Sequence, residues 1–155
     1  MDIVYAQDAY VRDWVAHRLG QVGFAGNSMN AFGVAENGAL IGGTAFHNYY
    51  PKEGVVEMSS ASVSPRWLTR KMIQTIFSYA FDLLGCQLVV MRVSIDNSRM
   101  MNIARRFGFN IYTIPRLRGR MEAEAVCTYT DDQWADSPFN IRRLKSAKPH
   151  LPRTL

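Results

Sequence analysis

The chain has 155 residues, 48% of them hydrophobic and 20% charged, the balance of one globular domain with a real core rather than of a disordered or fibrous protein. Its net charge of +5 sits at one end: residues 1–137 hold 13 basic and 13 acidic side chains, while 138–155 hold Arg142, Arg143, Lys145, Lys148 and Arg153 and no acid. A neutral body argues against a dedicated nucleic-acid-binding domain, and the Pro-containing basic tail reads as a solvated arm or a grip for a polyanion or acidic partner.

No apolar run approaches the ~18 residues of a membrane span. Asp2, Asp8 and Asp13 fall where a secretory signal would need an apolar core, so a cytoplasmic protein is expected. Val11, Trp14, Val15 and Leu19 recur at helical spacing up to Gly20, predicting a first helix. Two β-like runs, 30–35 and 39–47, flank Glu36-Asn37-Gly38, a strong hairpin signal. After the turn Pro51–Gly54 a third strand is expected, with Val55, Glu57, Ser59, Ala61 and Val63 on one face. Glu57 thereby shares a face with apolar residues, a setting that favours the protonated acid.

Apolar residues at 72, 73, 76, 77, 80, 81 and 84 predict an amphipathic helix from about Arg66 to Leu84, stopped by Gly85. The run QLVVMRVSI, 87–95, is nearly continuous in apolar residues, the pattern of a central strand covered on both faces. Asp96-Asn97-Ser98 offers N-caps to a helix reaching Arg106, with Met100, Met101, Ile103 and Ala104 inward and Gly108 as its end. FNIYTI and AEAVCTYT supply the last strands. The order predicts one α/β domain over 1–137, a mixed, mostly antiparallel sheet flanked by helices, followed by the tail 138–155. Cys86 and Cys127 have apolar settings and no metal-ligand spacing, and His17, His47 and His150 are scattered, so no metal site is expected.

Asn97 through Phe109, NSRMMNIARRFGF, carries an N-x-x-x-x-x-[apolar]-x-x-[K/R]-x-G-F pattern at Asn97, Ile103, Arg106, Gly108 and Phe109, and a V-S-P turn, Val63 to Pro65, precedes the central helix. In these features the chain resembles the GNAT superfamily of acyl-CoA N-acyltransferases, nearest to the ribosomal-protein N-acetyltransferase branch and to acetyltransferase-like proteins of phages. The resemblance covers roughly 30–135. It implies acetyl-CoA as co-substrate, with the strand ending near Ser62 and Val63 pairing with pantetheine and the following loop and helix start holding the pyrophosphate. It further implies Glu57, six residues before Val63, as general base for a primary amine.

The departures are equally specific. The family's loop glycines are missing, and Leu68, Thr69 and Lys71 stand in that region. Thr69 is then expected to cap the helix, with Arg66, Arg70 and Lys71 supplying phosphate charge; the alternative is a solvated basic turn. Asn97 completes the catalytic and cofactor-binding sets, to which Arg105 is added on the cofactor side. The usual tyrosine acid falls at Ala104, leaving Tyr112 and Tyr129 as unselected substitutes. His47, Tyr49 and Tyr50 are acceptor-side candidates, Glu57 is equally readable as an ion-pair partner of Arg92, and the methionines read as core filler. Small-molecule or protein amines, or a homodimer mate, are compatible partners; a membrane is not. A scaffold that has lost catalysis and binds a macromolecule remains the competing function.

Overall fold

A computed structural model of the chain describes residues 1–21, 23–24 and 30–140; the basic side chains of the tail lie outside them. The elements are β1 (Asp2–Val4), α1 (Asp8–Arg18), β2 (Ala31–Glu36), β3 (Ala39–Tyr50), β4 (Val55–Ser62), a 3-10 turn (Pro65–Trp67), α2 (Arg70–Phe77) running into a π-helical turn (Ser78–Leu83), β5 (Leu88–Ser94), α3 (Ser98–Phe107), β6 (Asn110–Gly119), β7 (Glu122–Thr130) and α4 (Asp131–Asp136). One seven-stranded sheet runs β1-β2-β3-β4-β5-β7-β6, antiparallel throughout except for the β4–β5 pair. This is the mixed α/β architecture expected from the order of elements.

Local chemistry explains most of the boundaries. Asn37 and Gly38 both take positive φ (53° and 79°), as the tight β2–β3 turn requires. Thr69 and Asn97 cap α2 and α3 by accepting the N–H groups of Met72 and Met100, and Gly108 ends α3 in the left-handed region. The long helix expected from Arg66 to Leu84 is instead three pieces, because Trp67 turns inward before Thr69 and the backbone widens to π geometry after Phe77.

Strand parity builds two cores. Phe46, Val56, Met58, Val89, Met91, Val93, Ala125, Cys127 and Tyr129 face Met72, Ile76, Phe77, Met101 and Ala104 of α2 and α3. On the other face, Val11 and Val15 of α1 pack on Ala31, Leu40, Ala45 and Ala61. Gly42 lies beneath the Trp67 ring, where a Cβ would stand 2.3 Å from Cγ. β5 corrects the sequence reading: Val89, Met91 and Val93 are buried, but Val90, Arg92 and Ser94 look out on a face that α1 leaves uncovered. Both cysteines are free and buried, and burial pushes both thiols up.

Candidate active site

β4 and β5 pair only where Val55–Glu57 meets Leu88–Val90, although β4 continues to Ser62 and β5 to Ser94. β3 stays with β4 as far as Ser62, and β7 stays with β5 as far as Ser94. The sheet therefore opens as a wedge with Glu57 at its apex, and among the described residues the facing backbone groups beyond it have no strand partner on that side. A cleft of about 540 Å³ fills the opening, walled by His47, Asn48, Glu57, Ser59 and Ser60 on one side and by Met91–Ser94, Asn97 and Glu124 on the other. A second cleft of about 340 Å³ shares Leu19, Ser60, Asn97 and Met100 with the first, and adds Arg18, Ser62 and Arg99.

At the apex, register sets His47 opposite Glu57. A bulge between His47 and Tyr50 puts Asn48 at φ 49°, and its Nδ2 donates to Glu57 Oε1 at 3.1 Å. The same Nδ2 lies 3.3 Å from His47 Nδ1, which selects the tautomer with its proton on Nε2. That nitrogen is 2.9 Å from Ser59 Oγ and 3.7 Å from Glu57 Oε2, while Phe24 stacks on the ring at 4.5 Å. Burial pushes the imidazole below its ordinary value, opposed by the Glu57 charge, so it is neutral at neutral pH. Glu57 thus stands among polar side chains, not the apolar ones its strand neighbours suggested. Its partner is not Arg92 either, because that guanidinium is engaged by Glu124.

Glu124, whose side chain is only 3% exposed, receives Arg92 Nε on one oxygen and Arg118 on the other at 2.6 Å. All three line the cleft. The β6–β7 register breaks between Ile114 and Gly119, with Arg116 at φ 67°, and this irregular stretch delivers Arg118 to the buried carboxylate.

The remaining sequence candidates divide sharply. Asn97 and Ser62 reach the clefts, joining Glu57 and His47. Val63 is exposed and donates its N–H to Ile41 O, Leu68 packs against the core, and Thr69 caps α2. Arg66 pairs with Glu36 at 2.9 Å, while Arg70 donates to Pro138 O and lies over the Phe139 ring. Lys71 is exposed at the start of α2, and Arg105 bonds Asn102 on the outer side of α3. Tyr49 donates to Leu84 O, Tyr50 is exposed, and neither lines either of these two clefts. Tyr129 is buried on the opposite face with its hydroxyl on Gln133 O, and Tyr112 lies exposed on edge strand β6. The residues sequence reading missed are Asn48, Ser59, Arg18, Arg99 and the Arg92–Glu124–Arg118 trio. Parity carried part of that signal, since a lone arginine inside QLVVMRVSI marks the open face of the strand.

Among solved structures, a GCN5-related N-acetyltransferase from Brucella melitensis is 23% identical with a TM-score of 0.58, over 69% of this chain and 53% of that one. A dodecameric spermidine N-acetyltransferase from Vibrio cholerae is 16% identical with a TM-score of 0.58, over 71% of this chain and 69% of that one. A crystal structure described as that of a "probable acetyltransferase" is 16% identical with a TM-score of 0.58, over 68% of this chain and 62% of that one, so this chain spans between about half and two thirds of these proteins. Such identities show the fold alone, and no curated protein matches. The acetyltransferase (GNAT) domain model, however, matches residues 4–110. With more than half its length under that match, the chain belongs to the GNAT acetyltransferase family.

Proposed function

We propose that the protein transfers an acetyl group from acetyl-CoA to a primary amine by direct attack, with the wedge between β4 and β5 receiving the thioester and Glu57 taking the proton of the incoming ammonium, directly or through one water. The observation that carries this reading is the splay itself, which leaves backbone groups of β4 beyond Glu57 without a strand partner beside a cleft. Those groups suit the amides of pantetheine. The α2 amides of Arg70 and Lys71 have no acceptor within their helix and suit a phosphate, with Lys71 as adjacent charge, while Arg18 and Arg99 border the second cleft. The ammonium gives its first proton to Glu57, the neutral amine attacks the thioester carbonyl, and the new C–N bond forms as the C–S bond breaks; the second N–H proton passes through water in the open cleft to the leaving thiolate. Asn48 holds the carboxylate by its hydrogen bond, and both ring nitrogens of His47 are occupied, Nδ1 by Asn48 and Nε2 by Ser59, so Glu57 is the acceptor open to the cleft.

The domain so proposed is 1–137 with a basic tail, although Pro138 and Phe139 rest on Arg70. A second reading, a non-catalytic scaffold, draws support from the engagement of Arg66 and Arg70 away from the clefts. Calorimetric titration decides between them. Acetyl-CoA binding at ~100 μM or tighter, about 5.5 kcal/mol, is expected for the enzyme. No heat and no thermal shift at millimolar acetyl-CoA leaves the scaffold.

A further inference from the structure

We propose that the amine acceptor of this site also carries a carboxylate, and that Arg92 and Arg118, held apart by Glu124, form the subsite that receives it. The inference rests on the acetyltransferase reading and adds the chemical class of the acceptor: a free amino acid rather than a polyamine or a protein N-terminus.

One carboxylate against two guanidinium groups leaves the trio with a surplus positive charge. A single arginine would have satisfied Glu124 electrically; the second is brought by an irregular stretch of β6 with a non-glycine residue, Arg116, at positive φ, a backbone cost that a structural ion pair alone does not require. Glu124 is nearly fully buried and gives one oxygen to each arginine, which fixes both forks in orientation. The arginine side chains themselves are 46% and 40% exposed, so donors that do not meet Glu124 are open to the cleft that both residues line.

The position relative to the base fits a short molecule. Glu57 is paired with Val90, and Arg92 follows two residues on along the same face of β5. Strand spacing then puts Glu57 and Arg92 roughly 8 Å apart at Cα, more as the strands splay. Both side chains point into the space between, so an amine at Glu57 and a carboxylate at the arginines are separated by a few bonds. A polyamine meets the opposite chemistry. Of the two acids lining the cleft among the described residues, Glu57 is needed for the reacting nitrogen and Glu124 is already engaged, so a second ammonium faces surplus positive charge.

The test uses the full chain with acetyl-CoA and matched acceptors: the proteinogenic α-amino acids, β-alanine and γ-aminobutyrate, each beside its own carboxamide, together with spermidine. The carboxamides keep the nucleophile, remove the charge and mimic the first residue of a protein. Release of CoA thiol should give at least one amino acid a KM about 10- to 100-fold below that of its carboxamide, the range of a charge-assisted hydrogen bond. Arg118→Met should bring that ratio close to one. If Arg118→Met does not fold, Arg118→Lys, which keeps a cationic donor for Glu124 but loses the fork, should shrink the same ratio. Carboxamides or spermidine used as well as or better than the acids overturns the proposal, as does acetyl-CoA binding with no amino acid accepted. Failure to bind acetyl-CoA at all brings down the acetyltransferase reading first, so the two failures are distinguishable.

Discussion

Replacing Glu57 by glutamine separates catalysis from structure at the apex of the wedge. The carboxylate is 18% exposed, takes one hydrogen bond from Asn48 at 3.1 Å and stands 3.7 Å from an imidazole that burial keeps neutral. The amide oxygen of glutamine can still accept from Asn48, and no full ion pair is lost, so the stability change should stay below about 1 kcal/mol. General-base loss is a different scale, roughly 10²- to 10⁴-fold in kcat, or about 3–5.5 kcal/mol of barrier. Initial rates by thiol release, beside acetyl-CoA calorimetry, should therefore show kcat falling by at least about 10²-fold with cofactor affinity almost unchanged. The deficit should shrink at high pH, where more of the acceptor amine is already neutral. An internal control is His47: the Glu57 charge opposes the effect of burial on its proton affinity, so NMR titration of the ring should move further down in Glu57→Gln. A variant that melts several degrees earlier while its folded fraction turns over normally refutes the argument and leaves Glu57 as a structural residue.

Two further outcomes check the frame around the site. Gly42→Ala would set a methyl group 2.3 Å from Trp67 Cγ, against a ring that is 2% exposed and has no room to retreat; a loss of about 1–3 kcal/mol is expected, read as a Tm several degrees lower, and wild-type stability would refute the packing account. The lowered proton affinity of His47 makes stability pH-dependent with a definite sign: as pH falls below the unfolded value of 6.5 the unfolded state takes up a proton that the native state refuses, so stability is lost down to the folded value. Denaturant melts of wild type and His47→Gln should therefore diverge below that pH, the wild type losing up to about 1.4 kcal/mol more per pH unit, and parallel curves would mean that the ring is not held neutral.

The elements written in local chemistry were legible in the sequence: the Asn37-Gly38 turn, the Asn97 cap, the Gly85 and Gly108 stops, and the apolar stripe from Met72 to Leu84. β1 has only three residues and too little pattern to register. α4 does carry a capping-box spacing, Thr130 to Gln133, but no apolar period behind it. The widening at Ser78 keeps the same inward residues and is invisible to a 3.6-residue count. Glu57 and Asn97, which line the cleft, were singled out by motif position. The trio was not, because joining Arg92 to Glu124 spans 32 residues and depends on a β7–β5 register that no local pattern fixes. The alternative reading that paired Glu57 with Arg92 fails for the same non-local reason: both acids lie on the face of Arg92 and two residues from it, but β4 splays from β5 beyond Glu57 while β7 stays paired with β5 to Ser94.

The segment Ser64–Lys71 shows what the missing glycines were exchanged for. Trp67 is inserted over Gly42 and commits the backbone to a 3-10 turn, with Ser64 and Thr69 each accepting a following N–H. Three cations at a helix start are disfavoured by a few tenths of a kcal/mol each, and the fold relieves two of them locally, Arg66 with Glu36 and Arg70 with Pro138 and Phe139. Both contacts are exposed, and neither an exposed ion pair nor an exposed cation–π contact contributes more than about 1 kcal/mol, so neither fixes its arginine firmly. Under the proposed function, a pyrophosphate at α2 would compete with Glu36 for Arg66 at little cost, while Arg18 and Arg99 already border the second cleft. Phosphate recognition would then rest on side chains, Arg66 of the 3-10 turn and Lys71 of α2, in place of one glycine-rich loop. Such an arrangement should show stronger dependence of acetyl-CoA affinity on ionic strength than backbone amides alone would give, because side-chain charges near the surface are screened over about 10 Å at 0.1 M salt.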